Sequence, residues 1–150
     1  MGAPEVEETA VTTSEDERTG GPEARLGFEP GQVVQEIGLG DDVDEELRAG
    51  IARVIGQELV GEDYDDVVDV VLLWFREEDG DLTDGLVDCI ALLEDGGVIW
   101  LLTPKVGLDG HVEPSDIAEA VTTAGLSQAR PVSVTKRWAG ARLTTPKSRR

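Results

Sequence analysis

Residues 67–75, VVDVVLLWF, are apolar at every position but Asp69. An amphipathic helix would interrupt such a run every third or fourth residue, and a half-exposed strand would alternate. A short, continuous run of β-branched and aromatic residues fits a strand covered on both faces, as parallel sheets require. Residues 98–103, VIWLLT, have the same character. Two such strands commit the chain to a covered sheet, and the segments around them must supply the cover.

Those segments read as helices. In DDVDEELRAGIARVIGQEL, Val43, Leu47, Ile51, Val54, Ile55 and Leu59 recur at three- and four-residue steps, with Asp41 or Asp42 as the cap and Asp44, Glu45 and Glu46 in the first turn. Leu82, Leu86, Ile90 and Leu93 predict a second helix, ended by Gly96 and Gly97. Residues 114–124 predict a third, with Ile117, Ala120 and Val121 inward. A short strand at 32–37 precedes them all. Two more, 129–136 and 141–145, follow them as an antiparallel hairpin turned at Trp138, Ala139 and Gly140. Strands alternating with helices predict an α/β fold. The expected form is three-layer and Rossmann-like, its mostly parallel sheet ending in an antiparallel C-terminal edge hairpin. Residues 1–24 are rich in acids and lack an apolar period, so a disordered acidic tail is expected there. A single α/β domain over 25–147 and a basic tail at 148–150 complete the expected organisation.

Charge narrows the function. With 32 acidic and 13 basic residues the net charge is −19, which repels nucleic acid and anionic membrane on average. No run approaches the roughly 20 apolar residues of a membrane span. Residues 1–10 carry three glutamates and no base, unlike a secretory signal. The single cysteine, Cys89, excludes an internal disulfide and a Cys-rich zinc site, so a cytoplasmic location is expected. Beside the apolar face of the second helix, Cys89 reads as a structural thiol. The twenty acids from Glu36 to Asp95 form a solvated belt or a docking face for a basic partner. No acid follows Glu119, while seven bases lie from Arg130 onward. Arg137, Arg142 and Lys147 are therefore candidates for a surface that meets a protein partner. Direct binding to nucleic acid is not expected, because no predicted helix is basic.

Two segments could carry chemistry. In VVQEIGLGDD, a strand ending in Glu36-Ile37-Gly38-Leu39-Gly40 resembles the first motif of class I methyltransferases that use S-adenosylmethionine. The resemblance extends over about 31–146 and makes Glu36, Gly38 and Gly40 candidate cofactor-binding residues. The chain departs from the pattern at Asp42, where a third glycine would stand. It also lacks room before Val67 for the strand whose acid holds a ribose. Asp41, Asp42 and Asp44 would repel the cofactor's carboxylate, so no cofactor is expected.

The second segment is 103–116, TPKVGLDGHVEPSD, at the C-terminal end of a central strand, where open α/β sheets place their sites. Lys105 could bind an anion, and the lone histidine, His111, could act as a base or weak ligand beside Asp109 and Glu113. No second His or Cys supplies a metal site. No nucleophile, base and orienting group stand in a recognisable pattern. Neither a metal nor a catalytic residue is expected.

GQVVQEIG, DYDDVVDVVLLWFREEDGDLTD, GGVIWLLTPK, GHVEPSDIAEA and TTAGL together resemble an actinobacterial family known only as a domain of unknown function. The resemblance implies a small cytosolic protein without assigned enzymatic activity, in a family linked to transcriptional or oxidative-stress regulation. The expected function is a non-enzymatic regulatory or protein-interaction domain. The alternative is a small-molecule binder or methyltransferase-like enzyme using S-adenosylmethionine.

Overall fold

A computed structural model of the chain describes residues 26–145. Both expected tails lie outside them. The described residues divide into two compact units, one of residues 26–31 with Asp44–Glu58, the other of Gln32–Val43 with residues 59–145.

The first unit contains α1, Glu45–Ile55. Leu47, Ile51 and Ile55 are buried, as their spacing predicts. The cap differs from expectation. Asp44, not Asp41 or Asp42, takes it, its carboxylate accepting from the Leu47 N–H at 2.8 Å. Glu45 and Glu46 lie in the first turn and Arg53 in the last, the signs the helix dipole favours.

The second unit contains a six-stranded sheet. Strands β1 (Val34–Ile37), β2 (Val68–Trp74) and β3 (Leu93–Pro104) pair in parallel. Two short strands follow, β4 (Ser127–Gln128) and β5 (Val132–Ser133). The last strand, β6 (Trp138–Thr144), is antiparallel to β3 and to both short strands. The central strands are the two apolar runs, in the register Val71 with Ile99 and Leu73 with Leu101. On one face Val71, Leu73, Ile99, Leu101, Ala141 and Leu143 join Leu82, Leu86 and Cys89 of α2 (Leu82–Ile90) and Ala120 and Val121 of α3 (Pro114–Thr123) in one core. On the other face Val70, Leu72, Trp74, Trp100 and Leu102 are buried too. Each fully buried Val or Leu contributes about 1.5–3 kcal/mol, so the pure apolarity of these strands reports two covered faces. The one acid in the run ties strands together: the Asp69 carboxylate accepts from the Val33 N–H at 2.8 Å.

Two boundaries differ from the sequence reading. Helix α2 stops at Ile90, and Gly96 and Gly97 lie inside β3 rather than ending a helix. They serve an irregularity against β2, where Val68 faces Leu93 but Val70 faces Val98. Trp138, Ala139 and Gly140 belong to β6 and not to a turn. The bend before β6 is built by Thr135, whose hydroxyl accepts from the N–H groups of Arg137 (3.3 Å) and Trp138 (3.1 Å). Among the described residues no helix is long and apolar enough to cross a membrane.

Candidate functional site at the strand ends

The glycine-rich segment leaves β1 beside the end of β2. Gly38 has φ +85°, and a Cβ there would lie 2.3 Å from the Trp74 carbonyl oxygen. Only glycine fits such a position without moving a strand. Its N–H donates to the Glu62 carboxylate at 2.9 Å.

Arg76, just past β2, closes this turn from within. It is 8% exposed. Its Nη1 donates to the carbonyls of Gly38 (2.7 Å) and Trp74 (3.1 Å) and to the Asp79 carboxylate at 3.1 Å. Its Nε donates to Asp42 Oδ2 at 3.0 Å and its Nη2 to Asp42 Oδ1, a two-point grip. A Cβ on Gly40 would meet Nη2 at 3.1 Å, so that glycine makes room for the guanidinium. The cation also stands 5.4 Å from the Trp138 ring centroid. The Trp138 indole N–H donates to the Asp42 carbonyl at 3.2 Å, and its ring meets Trp74 edge-on at 4.9 Å.

The electrostatics follow from this geometry. The hydrogen bond from Arg76 holds the Asp42 carboxyl below its ordinary value, and Asp42 in turn raises Arg76. A buried guanidinium needs such partners, since each charge-assisted hydrogen bond is worth about 1.5–3 kcal/mol. Of the candidate cofactor residues, Gly38 and Gly40 both border Arg76. Glu36 is 2% exposed, and its carboxylate accepts from the Trp74 indole N–H at 3.4 Å. Sequence reasoning missed Arg76, Asp79 and Trp138 as parts of this site, and offered Asp42, or Asp41, as a helix cap. The available signal was an arginine directly after a doubly covered strand, where a charge must find a partner.

The second candidate segment surrounds a separate cavity of about 130 Å³ at the end of β3. Lys105 and His111 line it, whereas Asp109 and Glu113 are exposed and do not. The imidazole Nδ1 is 2.9 Å from the Pro104 carbonyl, so it carries the proton, and Nε2 is 4.0 Å from Glu113 Oε2. Among the described residues no group of three or more His, Cys, Asp or Glu could hold a metal ion. Burial pushes the Cys89 thiol up to about 12, with Asp88 and Glu62 adding to the shift, so it is protonated at neutral pH. Arg137 and Arg142 are exposed, one just before β6 and one within it. Lys147 lies outside the described residues.

Residues 23–147 match the model of a protein family of unknown function, DUF3052. The chain belongs to that family. DUF3052 relatives include uncharacterized proteins of Mycobacterium bovis and Mycobacterium tuberculosis. Each is 50% identical over 125 residues, spanning 83% of this chain and 78% of the relative. Solved structures of similar fold include several methyltransferases. The magnesium protoporphyrin IX methyltransferase of Synechocystis PCC 6803, with bound S-adenosylmethionine, has a TM-score of 0.54 at 11% identity, over 89% of this chain and 78% of that one. An S-adenosylmethionine-dependent O-methyltransferase of Thermotoga maritima gives 0.55 at 13%, over 95% and 69%. At these identities the likeness gives the DUF3052 chain a Rossmann-like core and nothing of its chemistry.

Proposed function

We propose that this chain is a non-enzymatic regulatory or protein-interaction domain on a reduced methyltransferase-like frame. The observation that carries this reading is Arg76. In Rossmann-type folds the turn after the first strand approaches the ligand. Here the turn's Gly38 carbonyl and Gly40 are packed against the chain's own guanidinium. That contact supplies a reason for both glycines without a cofactor. The reading takes the fold as a three-layer arrangement with β5 and β6 as its terminal hairpin, and the chain as cytoplasmic. Its partner would be a protein met through the exposed bases Arg137 and Arg142, with Lys147.

The methyltransferase-like alternative is favoured by one finding, the fold of the structural neighbours, one of which holds S-adenosylmethionine. Calorimetry of the full chain with S-adenosylmethionine and S-adenosylhomocysteine separates the two. No saturable heat is expected from either. Saturable micromolar binding would reverse the ranking. In parallel, a capture from native lysate should recover a reproducible partner, lost when Arg137, Arg142 and Lys147 are changed to Glu.

A further inference from the structure

The cavity at the end of β3 shares neither Arg76 nor the glycine turn. Its walls are the side chains of Leu101, Val112, Ile117 and Ala141, with Ala139 at the half-buried end of β6. Exposed Val106, Gln128 and Pro131 form its rim. Its volume, about 130 Å³, is close to that of the roughly 150 Å³ apolar cavities that take up benzene.

The polar side chains of the lining are few: Thr103, Lys105, His111 and, at the rim, Gln128. Half-buried Lys105 lines the cavity and gives its ammonium hydrogen bond to Ser133 Oγ, a neutral hydroxyl rather than a carboxylate. In a chain with 32 acids, a cation held beside an apolar hole by a hydroxyl is well placed for a ligand's charge. His111 lines the same space and is fixed by the Pro104 carbonyl, which orients its ring without consuming Nε2. An apolar chamber with one ammonium matches an apolar body bearing one anionic group.

We propose that this cavity binds a small monocarboxylate with an apolar body of about benzene size, its carboxylate paired with Lys105. The apolar body is buried among Leu101, Ile117 and Ala141. The carboxylate takes the ammonium from, or shares it with, the Ser133 hydroxyl.

The test is a titration of the full chain, followed by amide NMR shifts, with benzoate, benzyl alcohol and benzylammonium. Benzoate should shift the amides of Lys105, His111 and Ala139 saturably, benzyl alcohol more weakly, and benzylammonium not at all. Lys105→Met should weaken benzoate at least about tenfold, to the level of the alcohol, because a charge-assisted contact is lost. Ala139→Leu fills the chamber and should abolish both, with the circular dichroism unchanged. Benzoate binding no tighter than the alcohol, or unaffected by Lys105→Met, would overturn the proposal. So would shifts confined to other parts of the chain. If Ala139→Leu fails to fold, the Lys105→Met comparison still decides. S-adenosylmethionine is not a probe here, so neither outcome depends on the Arg76 turn.

Discussion

The Arg76–Asp42 pair has one member in the interior and one in water. Arg76 has a side chain 10% exposed, whereas Asp42 is 41% exposed. Burial fixes the guanidinium, and solvent weakens the pair, so its worth is less than that of a buried ion pair. Its pH dependence has a definite sign. The folded Asp42 carboxyl titrates below the ordinary aspartate value of 3.8. As pH falls the unfolded chain takes up this proton first. The stabilisation is therefore complete above pH 3.8 and is lost as pH drops through the folded value. Asp42→Asn should cost about 1–2 kcal/mol near neutrality, after discounting for exposure. It should also flatten the acid limb of a stability–pH profile from chemical denaturation. A profile parallel to that of the wild type would show that the pair does not form. None of this pairing was legible in the sequence, because the partners are 34 positions apart. Asp42 also sits where a helix cap is equally expected. The glycines were legible, but their neighbour was not.

At the scale of elements, apolar strands are easy to read and glycines are not. The runs at 67–75 and 98–103 became β2 and β3, since burial on both faces leaves no polar positions to mask the pattern. Glycine and alanine near Trp138 suggested a turn. In the sheet they are small because their neighbours are large. A Cβ on Gly140 would lie 2.7 Å from Val134 Cγ2 and 3.1 Å from Leu102 Cδ2. Gly140→Ala should therefore destabilise by about 1–3 kcal/mol, as overpacking does, with circular dichroism showing the fold retained. A neutral result in urea denaturation would mean that the loop carrying Val134 yields freely. The same ambiguity moved the end of α2: Gly96 and Gly97 look like a helix stop, yet they accommodate a strand irregularity. A small residue needed for closeness and one needed for turning have the same letter.

For the whole molecule the dominant fact is a net charge of −19. Such a chain repels itself more when compact than when unfolded. Raising ionic strength from low to physiological contracts the Debye length to about 8 Å, so the thermal midpoint should rise with added sodium chloride. A midpoint that stays flat or falls would show that close ion pairs, rather than self-repulsion, govern the salt response. Net charge and its reversal after Glu119 were plain in the sequence. So was the α/β class, since alternating strands and helices leave few other folds. The cavity was half legible: the loop was singled out, but Asp109 and Glu113 turned outward while apolar residues from β3, α3 and β6 supplied the walls. Contacts assembled from distant elements have no local pattern to read. The closed glycine turn has a use beyond this chain. Its lock is one acid in the turn and one arginine after the second strand. Any methyltransferase-like sequence can be sorted by whether it carries that couple, so a turn packed against the chain's own arginine becomes something to look for before a structure exists.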